Sequence, residues 1–462
     1  MPANPPPSGA AVPNRHDARG RHVLDIRFGR IAAVLLIVSA VLTVGGGATA
    51  VAATRAGSGA TGRAGGSGAT FVGELRPEVF GPAVRALLDR RADAIHRHDL
   101  PAFLRDIDPA DHPFVKAQRA EFDNLAHLPL AEFRYDVDTS ARYDTMVAPA
   151  IRSRYRGGYR AIAVTVRYRI DGMDTAPVAA PWVPIFAVSD GRVRLAGVVS
   201  DPRLPVGAGG QAWETGPIAV VRSTRVVLVL SAGDTARAPE MLRMAEAGLD
   251  HVAAVRHGGW AGTVLITAVQ DQRVFTTYFA GNADRTDHFA AVAVPYYAAV
   301  PDWNRKPAYA ATRVVFNPRE FSADPSELAH DLTHELAHVA MGPVTGDTTP
   351  LWLVEGFAEY VAYKPEQVSG LYPKRALAGF QTGTAPPVDA FYDDGRNYVL
   401  AWLACRMIAQ RYGEDRLVGL YDAFSGGASP ADVIRQVLGV DEATLDGQYV
   451  SYVERARGGV LP

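Results

Sequence analysis

The sequence has 462 residues, 48% hydrophobic and 21% charged, which is enough for a large buried core and more than one domain. Its formal net charge of −2 gives no overall basic field, so nucleic acid is not an expected partner. The single cysteine, Cys405, excludes an internal disulfide framework and a zinc site built from cysteines.

The first seventy residues are predicted to lie outside any globular domain. Residues 1–30 are rich in Pro, Gly and Ala and carry five arginines, which indicates a disordered tail that stays in the cytoplasm. Residues 31–53 contain no charged side chain and have about the length that spans a bilayer. Residues 54–70 form a Gly/Ser-rich linker.

Residues 31–53 are therefore predicted to be a transmembrane signal anchor. The chain would then be a single-pass protein of the cell membrane, with its C-terminal domains extracytoplasmic. An alternative follows from the small residues Ala48-Thr49-Ala50, which resemble a cleavage site. In that case the segment is a cleaved signal peptide and the protein is secreted.

Residues 71–205 have the pattern of a separate domain. Two segments, 82–98 and 114–125, have apolar residues at helical spacing. They precede segments with the pattern of strands, of which 161–170 alternates polar and apolar residues. The predicted strands are 133–137, 161–170, 182–188 and 193–199. Helices followed by an antiparallel sheet predict an α+β layer, which resembles the nuclear-transport-factor-2-like cone. No cluster of charged residues in this segment identifies a ligand. The domain is therefore predicted either to position the rest of the chain or to bind a ligand of its own.

Residues 206–217 are a Gly/Pro-rich connector, and residues 218–462 form the last predicted domain. A valine-rich buried strand is predicted at 220–230, followed by a helix at 239–255. Further strands are predicted at 263–268, 290–294 and 313–316. These segments predict a mixed sheet, and the segments beyond residue 396 predict a helical C-terminal half.

A helix with a chemically distinctive face is predicted from Asp324, as N-cap, to Gly342. His334 and His338 lie four residues apart and so share one face of this helix, as two zinc ligands must. Glu335 lies beside them, where it can accept a proton from water on the metal. The sequence therefore predicts a zinc site on this helix.

A second helix begins after Thr349-Pro350 and carries Glu355 and Glu359 on one side of an otherwise apolar segment. A carboxylate on an apolar helix face is costly to bury without a cation. Glu355 is therefore predicted to be the third zinc ligand.

The two helices together resemble those of the gluzincin metallopeptidases, a peptidase-MA-like group related to the aminopeptidase N-like family. The pattern is His334-Glu335-x-x-His338 followed by Trp352-x-x-Glu355-Gly356-x-Ala358-x-Tyr360. The resemblance implies a thermolysin-like fold, one Zn²⁺ per chain, and hydrolysis of peptide or protein substrates by a water that Glu335 activates on the zinc.

The resemblance also implies roles for residues outside the motif. Tyr398, near the start of a helix at 397–412, would donate its hydroxyl to the oxyanion of the tetrahedral intermediate. Glu359 would supply a carboxylate that orients one of the ligand histidines. The strand nearest the cleft would pair with the substrate backbone, and residues 313–316 are the candidate strand.

Other interpretations remain open. The histidines could be satisfied polar residues, Tyr398 a core aromatic and Glu359 a solvent-facing carboxylate. His330 completes a row with the two histidines, but it lies roughly 12 Å from His338 along the axis, too far to share a metal. No G-x-M-E-N stretch precedes the zinc helix, so endopeptidase and aminopeptidase activity both remain open. The alternative function is a catalytically silent, peptidase-fold binding or sensor module of the cell envelope.

Overall fold

The computed structural model describes most of the chain beyond residue 74. The described residues are 75–201, 203–205, 207–279, 289–300, 307–320, 324–364, 383, 385–387 and 391–461. The predicted tail, membrane segment and linker, at 1–70, lie outside them. Within the described residues, no helix combines the length and the hydropathy needed to cross a membrane.

The first region is a layer of helices against an antiparallel sheet, as predicted. Its helices are α1 (Pro77–His96), α2 (Leu100–Leu104), α3 (His112–His127) and α4 (Pro149–Tyr155). Its strands are β1 (Leu130–Arg142), β2 (Tyr159–Ile170), β3 (Val178–Trp182), β4 (Pro184–Ser189) and β5 (Arg192–Val198). The strand order is β1-β2-β4-β5, with β3 also paired to β2. The resemblance to a cone stays a prediction.

The strand predicted at 182–188 is present as β4, but it begins at Pro184, and the preceding strand β3, which ends at Trp182, was not predicted. β3 pairs with residues 164–168 of β2, whereas β4 pairs with residues 159–161 of the same strand. The break falls at Val183, directly before Pro184. Proline cannot donate to a strand ladder and therefore favours the first position of a strand.

The second region contains the predicted mixed sheet. Its strands are β6 (Ile218–Arg222), β7 (Val226–Ser231), β8 (Val264–Ala268), β9 (Ala291–Tyr297) and β10 (Tyr309–Phe316). They lie in the order β6-β7-β8-β10-β9. The inner strands β7, β8 and β10 are parallel, and the two edge strands are antiparallel to their neighbours.

Two strand predictions in this region are wrong. The run 220–230 is a hairpin, because the hydroxyl of Ser223 accepts hydrogen bonds from the N–H groups of Arg225 and Val226 and so closes a turn without glycine or proline. The candidate substrate strand at 313–316 lies inside β10, which pairs on both sides. The edge on that side of the sheet is β9.

Helices form the remainder of the second region. They are α5 (Ala238–Ala253), α6 (Gln272–Thr276), α7 (Pro325–Met341), α8 (Leu351–Ala362), α9 (Arg396–Tyr412), α10 (Glu414–Phe424), α11 (Pro430–Leu438) and α12 (Glu442–Arg457). α7 packs between α5 and α8, and α8 packs on α9. The predicted helical C-terminal half is therefore present.

The two regions pack against each other around a buried ion pair. Nη2 of Arg313, on β10, lies 2.7 Å from Oδ2 of Asp174 in the β2–β3 connection. Next to this pair, the backbone N–H of Thr175 donates to the carbonyl of Ala310 at 2.9 Å. Apolar residues of both regions belong to one continuous cluster. The division into domains near residues 206–217 stays a prediction.

Candidate metal centre

The buried face of α7 presents two histidines. The carboxylate of Asp324 caps the helix by accepting a hydrogen bond from the N–H of Ser326 at 2.8 Å, as the sequence predicts. His334 and His338 are 1% and 3% exposed, and their Nε2 atoms lie 2.9 Å apart. Two nitrogens from one helix therefore meet at one point, which the four-residue spacing allows.

Helix α8 brings a carboxylate oxygen to the same point. Oε2 of the fully buried Glu355 lies 3.3 Å from Nε2 of His334 and 3.5 Å from Nε2 of His338. Two ligand atoms about 2.1 Å from a tetrahedral ion stand about 3.4 Å apart. All three separations lie within about 0.5 Å of that value, so the three atoms are spaced as ligands of one zinc ion.

The hydrogen-bonding state of these atoms also fits a cation. Oε2 of Glu355, which faces both Nε2 atoms, is buried without a hydrogen-bond partner. Leaving such groups unsatisfied is costly, and a cation bound at Oε2 would remove part of that cost. Within the described part of the chain, His334, His338 and Glu355 are the group of side chains close enough to share an ion. Two imidazoles and one carboxylate are a known ligand set of catalytic zinc.

The electrostatics separate the roles of the two glutamates. Burial opposes ionisation of Glu355, but His338 and His334 outweigh it and lower the pKa of Glu355 to about 2. Burial raises the pKa of Glu335 to about 8, although His334 works against this rise. Glu355 is therefore held as an anion, as a ligand must be, whereas Glu335 is able to hold and release a proton near neutral pH.

The pKa values of the two histidines move in opposite directions. Burial lowers the pKa of His338. Burial acts in the same sense on His334, but Glu355 and Glu359 outweigh it and raise the pKa of His334 well above its usual value. A metal ligand must give up its proton, so a bound cation would displace the proton from His334.

The edge strand β9 runs past Glu335. The N–H of Asn317 donates to the carbonyl of Ala290 at 2.8 Å, which fixes the alternation of hydrogen-bonded pairs between β9 and β10. By that alternation, the peptide groups of Ala291 and Ala293 point away from β10. The N–H of Ala293 reaches Glu335 and lowers its pKa against the effect of burial. The strand that faces the site is therefore β9.

A glycine allows α9 to approach the metal-binding helix α8. A Cβ atom at Gly356 would stand 2.4 Å from the carbonyl oxygen of Ala401 and 2.9 Å from Sγ of Cys405. Any side chain at this position would push α9 away. The close contact also encloses Cys405 completely, which makes it a buried thiol, as expected.

Tyr398 lies in the first turn of α9 and is buried beside the site. Its ring packs edge-on against Phe391 with 5.1 Å between centroids. Its hydroxyl is buried and makes no hydrogen bond. Burial raises the pKa of Tyr398 well above its usual value, and the charge of Glu355 adds to the rise. The phenol therefore stays protonated and is available as a hydrogen-bond donor.

A second tyrosine in the site was missed by sequence reasoning. Tyr392 belongs to a short 3₁₀ turn, Phe391–Asp393, that precedes α9. Its hydroxyl donates to Oε1 of Glu355 at 3.0 Å. The only signal in the sequence is an aromatic residue six positions before Tyr398, which identifies no contact by itself.

The remaining two candidates have different positions. Oε1 of the buried Glu359 lies 3.5 Å from Nδ1 of His334, behind the ligand face of that ring. This distance is at the outer limit of a hydrogen bond. The ring of His330 packs against that of Tyr363 with 4.7 Å between centroids and a tilt of 32°, and His330 does not belong to the group that can share an ion.

Comparison with known proteins gives only weak likenesses. No family model matches the sequence, and no curated protein matches it. A mutant of a two-domain M1 zinc metallopeptidase, solved with L-arginine bound, is similar at 14% identity and a TM-score of 0.30, over 64% of this chain and 61% of that chain. An M1 zinc metallopeptidase from Deinococcus radiodurans is similar at 14% identity and a TM-score of 0.28, over 64% of this chain and 62% of that one. Likenesses at this level do not assign a family, so the functional conclusion rests on the geometry of the site.

Proposed function

We propose that the chain is a zinc-dependent metallopeptidase of the gluzincin type, with one Zn²⁺ held by His334, His338 and Glu355. The observation that carries this proposal is the convergence of three buried ligand atoms within 3.5 Å of one another, with the carboxylate Glu335 directly beside them. A ligand set of three protein side chains leaves a fourth position for substrate or water, as in catalytic sites.

The chemistry follows from the residues around this position. Zinc, when bound, polarises a carbonyl and lowers the pKa of water. Glu335 accepts a proton from the attacking water and returns it to the leaving nitrogen. Tyr398 donates its free hydroxyl to the carbonyl oxygen as negative charge develops there. Glu359 orients His334 from behind.

The substrate of this reaction is a peptide or protein. We infer that its backbone pairs with the edge of β9, where the outward N–H and C=O groups of Ala291 and the outward C=O group of Ala293 offer donors and acceptors, the N–H of Ala293 being bonded to Glu335. Backbone pairing of this kind is indifferent to side chains, so it favours a broad class of extended peptides. Endopeptidase and aminopeptidase activity remain alternatives.

The test is metal analysis of the purified protein together with an assay on unstructured peptides. We expect one zinc per chain, loss of hydrolysis after chelation and recovery when zinc is returned, because all three ligand side chains converge on one ion. A metal-free protein that shows no uptake of zinc would contradict the proposal. One zinc per chain without hydrolysis of any member of a peptide library would favour the silent binding or sensor module.

We further propose that residues 31–53 anchor the chain in the cell membrane with the metal centre outside. The uncharged segment and the arginines before it support this topology. A protease added to intact cells is expected to digest everything after Ala53 and to leave the tail before Arg30 protected. A mature protein beginning near Val51 would show a secreted form instead. Protection of the whole chain would contradict both topologies.

A further inference from the structure

Two tyrosines from one short segment enter the metal centre, and they differ in their hydrogen bonding. The hydroxyl of Tyr392 donates to Glu355 at 3.0 Å, whereas the buried hydroxyl of Tyr398 has no partner. Their rings lie 6.4 Å apart, so both belong to the same wall of the site. The hydroxyl of Tyr392 is already bonded to a metal-binding side chain, whereas that of Tyr398 is free to bond to a substrate. The two hydroxyls are therefore suited to different roles.

The turn that carries Tyr392 is held in place on three sides. The side-chain amide of Asn397 donates to the carbonyl of Phe391 at 2.9 Å. The carboxylate of Asp394 accepts from the N–H of Arg396 at 3.0 Å and so fixes the start of α9. The fully buried ring of Phe391 packs edge-on against Tyr392 at 5.5 Å. These contacts hold the turn that carries Tyr392 against the start of α9.

This hydrogen bond makes the two oxygens of Glu355 different. Oε1 accepts from Tyr392, and Oε2 faces the Nε2 atoms of His334 and His338. Oε2 has no hydrogen-bond partner of its own. Oε2 is therefore the oxygen that faces an ion, while Oε1 already accepts a hydrogen bond, and rotation of the carboxylate would break the bond to the phenol.

We propose that Tyr392 is a positioning residue that holds Glu355 in the orientation in which Oε2 alone is a metal ligand. The inference rests on the proposed zinc site and adds to it a residue that fixes how its carboxylate binds. Groups that hydrogen-bond to metal ligands typically contribute a factor of about 10–100 to metal affinity. Tyr398, by contrast, contacts no ligand through its hydroxyl and contributes to the reaction alone.

The test compares Tyr392→Phe with the matched variant Tyr398→Phe in the full chain. Each removes one hydroxyl from the same wall and keeps the ring. We expect Tyr392→Phe to bind zinc about 10–100-fold more weakly in competition with a chelator of known affinity. We expect Tyr398→Phe to bind zinc with unchanged affinity.

A second readout separates positioning from a general loss of packing. Cobalt replaces zinc in such sites, and its visible absorption reports the number and arrangement of ligands. Tyr392→Phe should change this spectrum, because Oε1 becomes free to coordinate, whereas Tyr398→Phe should leave it unchanged. Unchanged zinc affinity in Tyr392→Phe, an equal loss in both variants, or a weaker site with an unchanged cobalt spectrum would each overturn the inference. A parent protein that binds no zinc would overturn the proposed function as well.

Discussion

Replacing Glu335 by Gln is expected to lower kcat/KM for peptide hydrolysis by about 10²–10⁴-fold, the usual contribution of a general base. Gln has the same shape and keeps an oxygen for the N–H of Ala293, but it cannot take up a proton. Glu335 is not among the three converging ligand atoms, so zinc should remain bound at one ion per chain. This variant should therefore lose most of its activity and keep its zinc.

The comparison needs a control on the same helix. Glu327 lies in the first turn of α7, two turns before Glu335. Glu327→Gln removes a charge from the same helix and should leave the rate of hydrolysis unchanged. The measurements are zinc content and steady-state kinetics of both variants and of the parent. Hydrolysis by Glu335→Gln at the parental rate would contradict the assignment of the base, and loss of zinc from this variant would contradict the assignment of the ligands.

The features of the site that the sequence predicts are those fixed by residues close together in the chain. Asp324 and Gly342 mark the ends of α7 with local capping signals, and Pro350 marks the start of α8. A spacing of four residues is sufficient to place His334 and His338 on one helix face. These are properties of a single helix, which a sequence pattern expresses directly.

The features that the sequence does not predict depend on contacts between distant segments. Tyr392 is 37 residues from Glu355 in the chain, and the close approach of α9 to α8 depends on the absence of a side chain at Gly356. The order of the strands also depends on contacts between distant segments. Nothing in the sequence of residues 313–316 shows that β9 pairs with them and forms the edge of the sheet in their place. The prediction of one strand at 220–230 failed for another reason, since Ser223 closes the turn with a side chain and leaves no glycine or proline as a marker.

The junction between the two regions leads to the largest expected effect on stability. The guanidinium of Arg313 binds both carboxylate oxygens of Asp174, at 2.7 and 3.3 Å, and its centre lies 4.3 Å from the ring centroid of Tyr296. It also donates to the hydroxyl of Tyr168. Asp174 in turn accepts from the N–H of Ile170 at 2.7 Å. The pair is therefore buried with its polar groups largely satisfied.

Removing one partner should destabilise the protein far more than removing both. Arg313→Met leaves the carboxylate of Asp174 buried without its cation, and Asp174→Asn leaves the guanidinium without its anion. Each is expected to lower the free energy of unfolding by about 3–5 kcal/mol. In the double variant no uncompensated charge remains, and the introduced amide would keep an oxygen that accepts from the N–H of Ile170. The double variant should therefore recover at least half of the loss.

The measurement is a double-mutant cycle on the free energy of unfolding, obtained by urea denaturation of the parent, the two single variants and the double variant. The same four proteins can be assayed for zinc content and for hydrolysis. Arg313 pairs with Val294 of β9, and the neighbouring residue Ala293 donates its N–H to Glu335, so the ion pair is linked to the site through β9. A displaced β9 should lower kcat/KM in the single variants while the zinc ligands on α7 and α8 keep their metal. Single variants that unfold at the parental urea concentration would show that the two regions are held together by their apolar contacts and not by this ion pair.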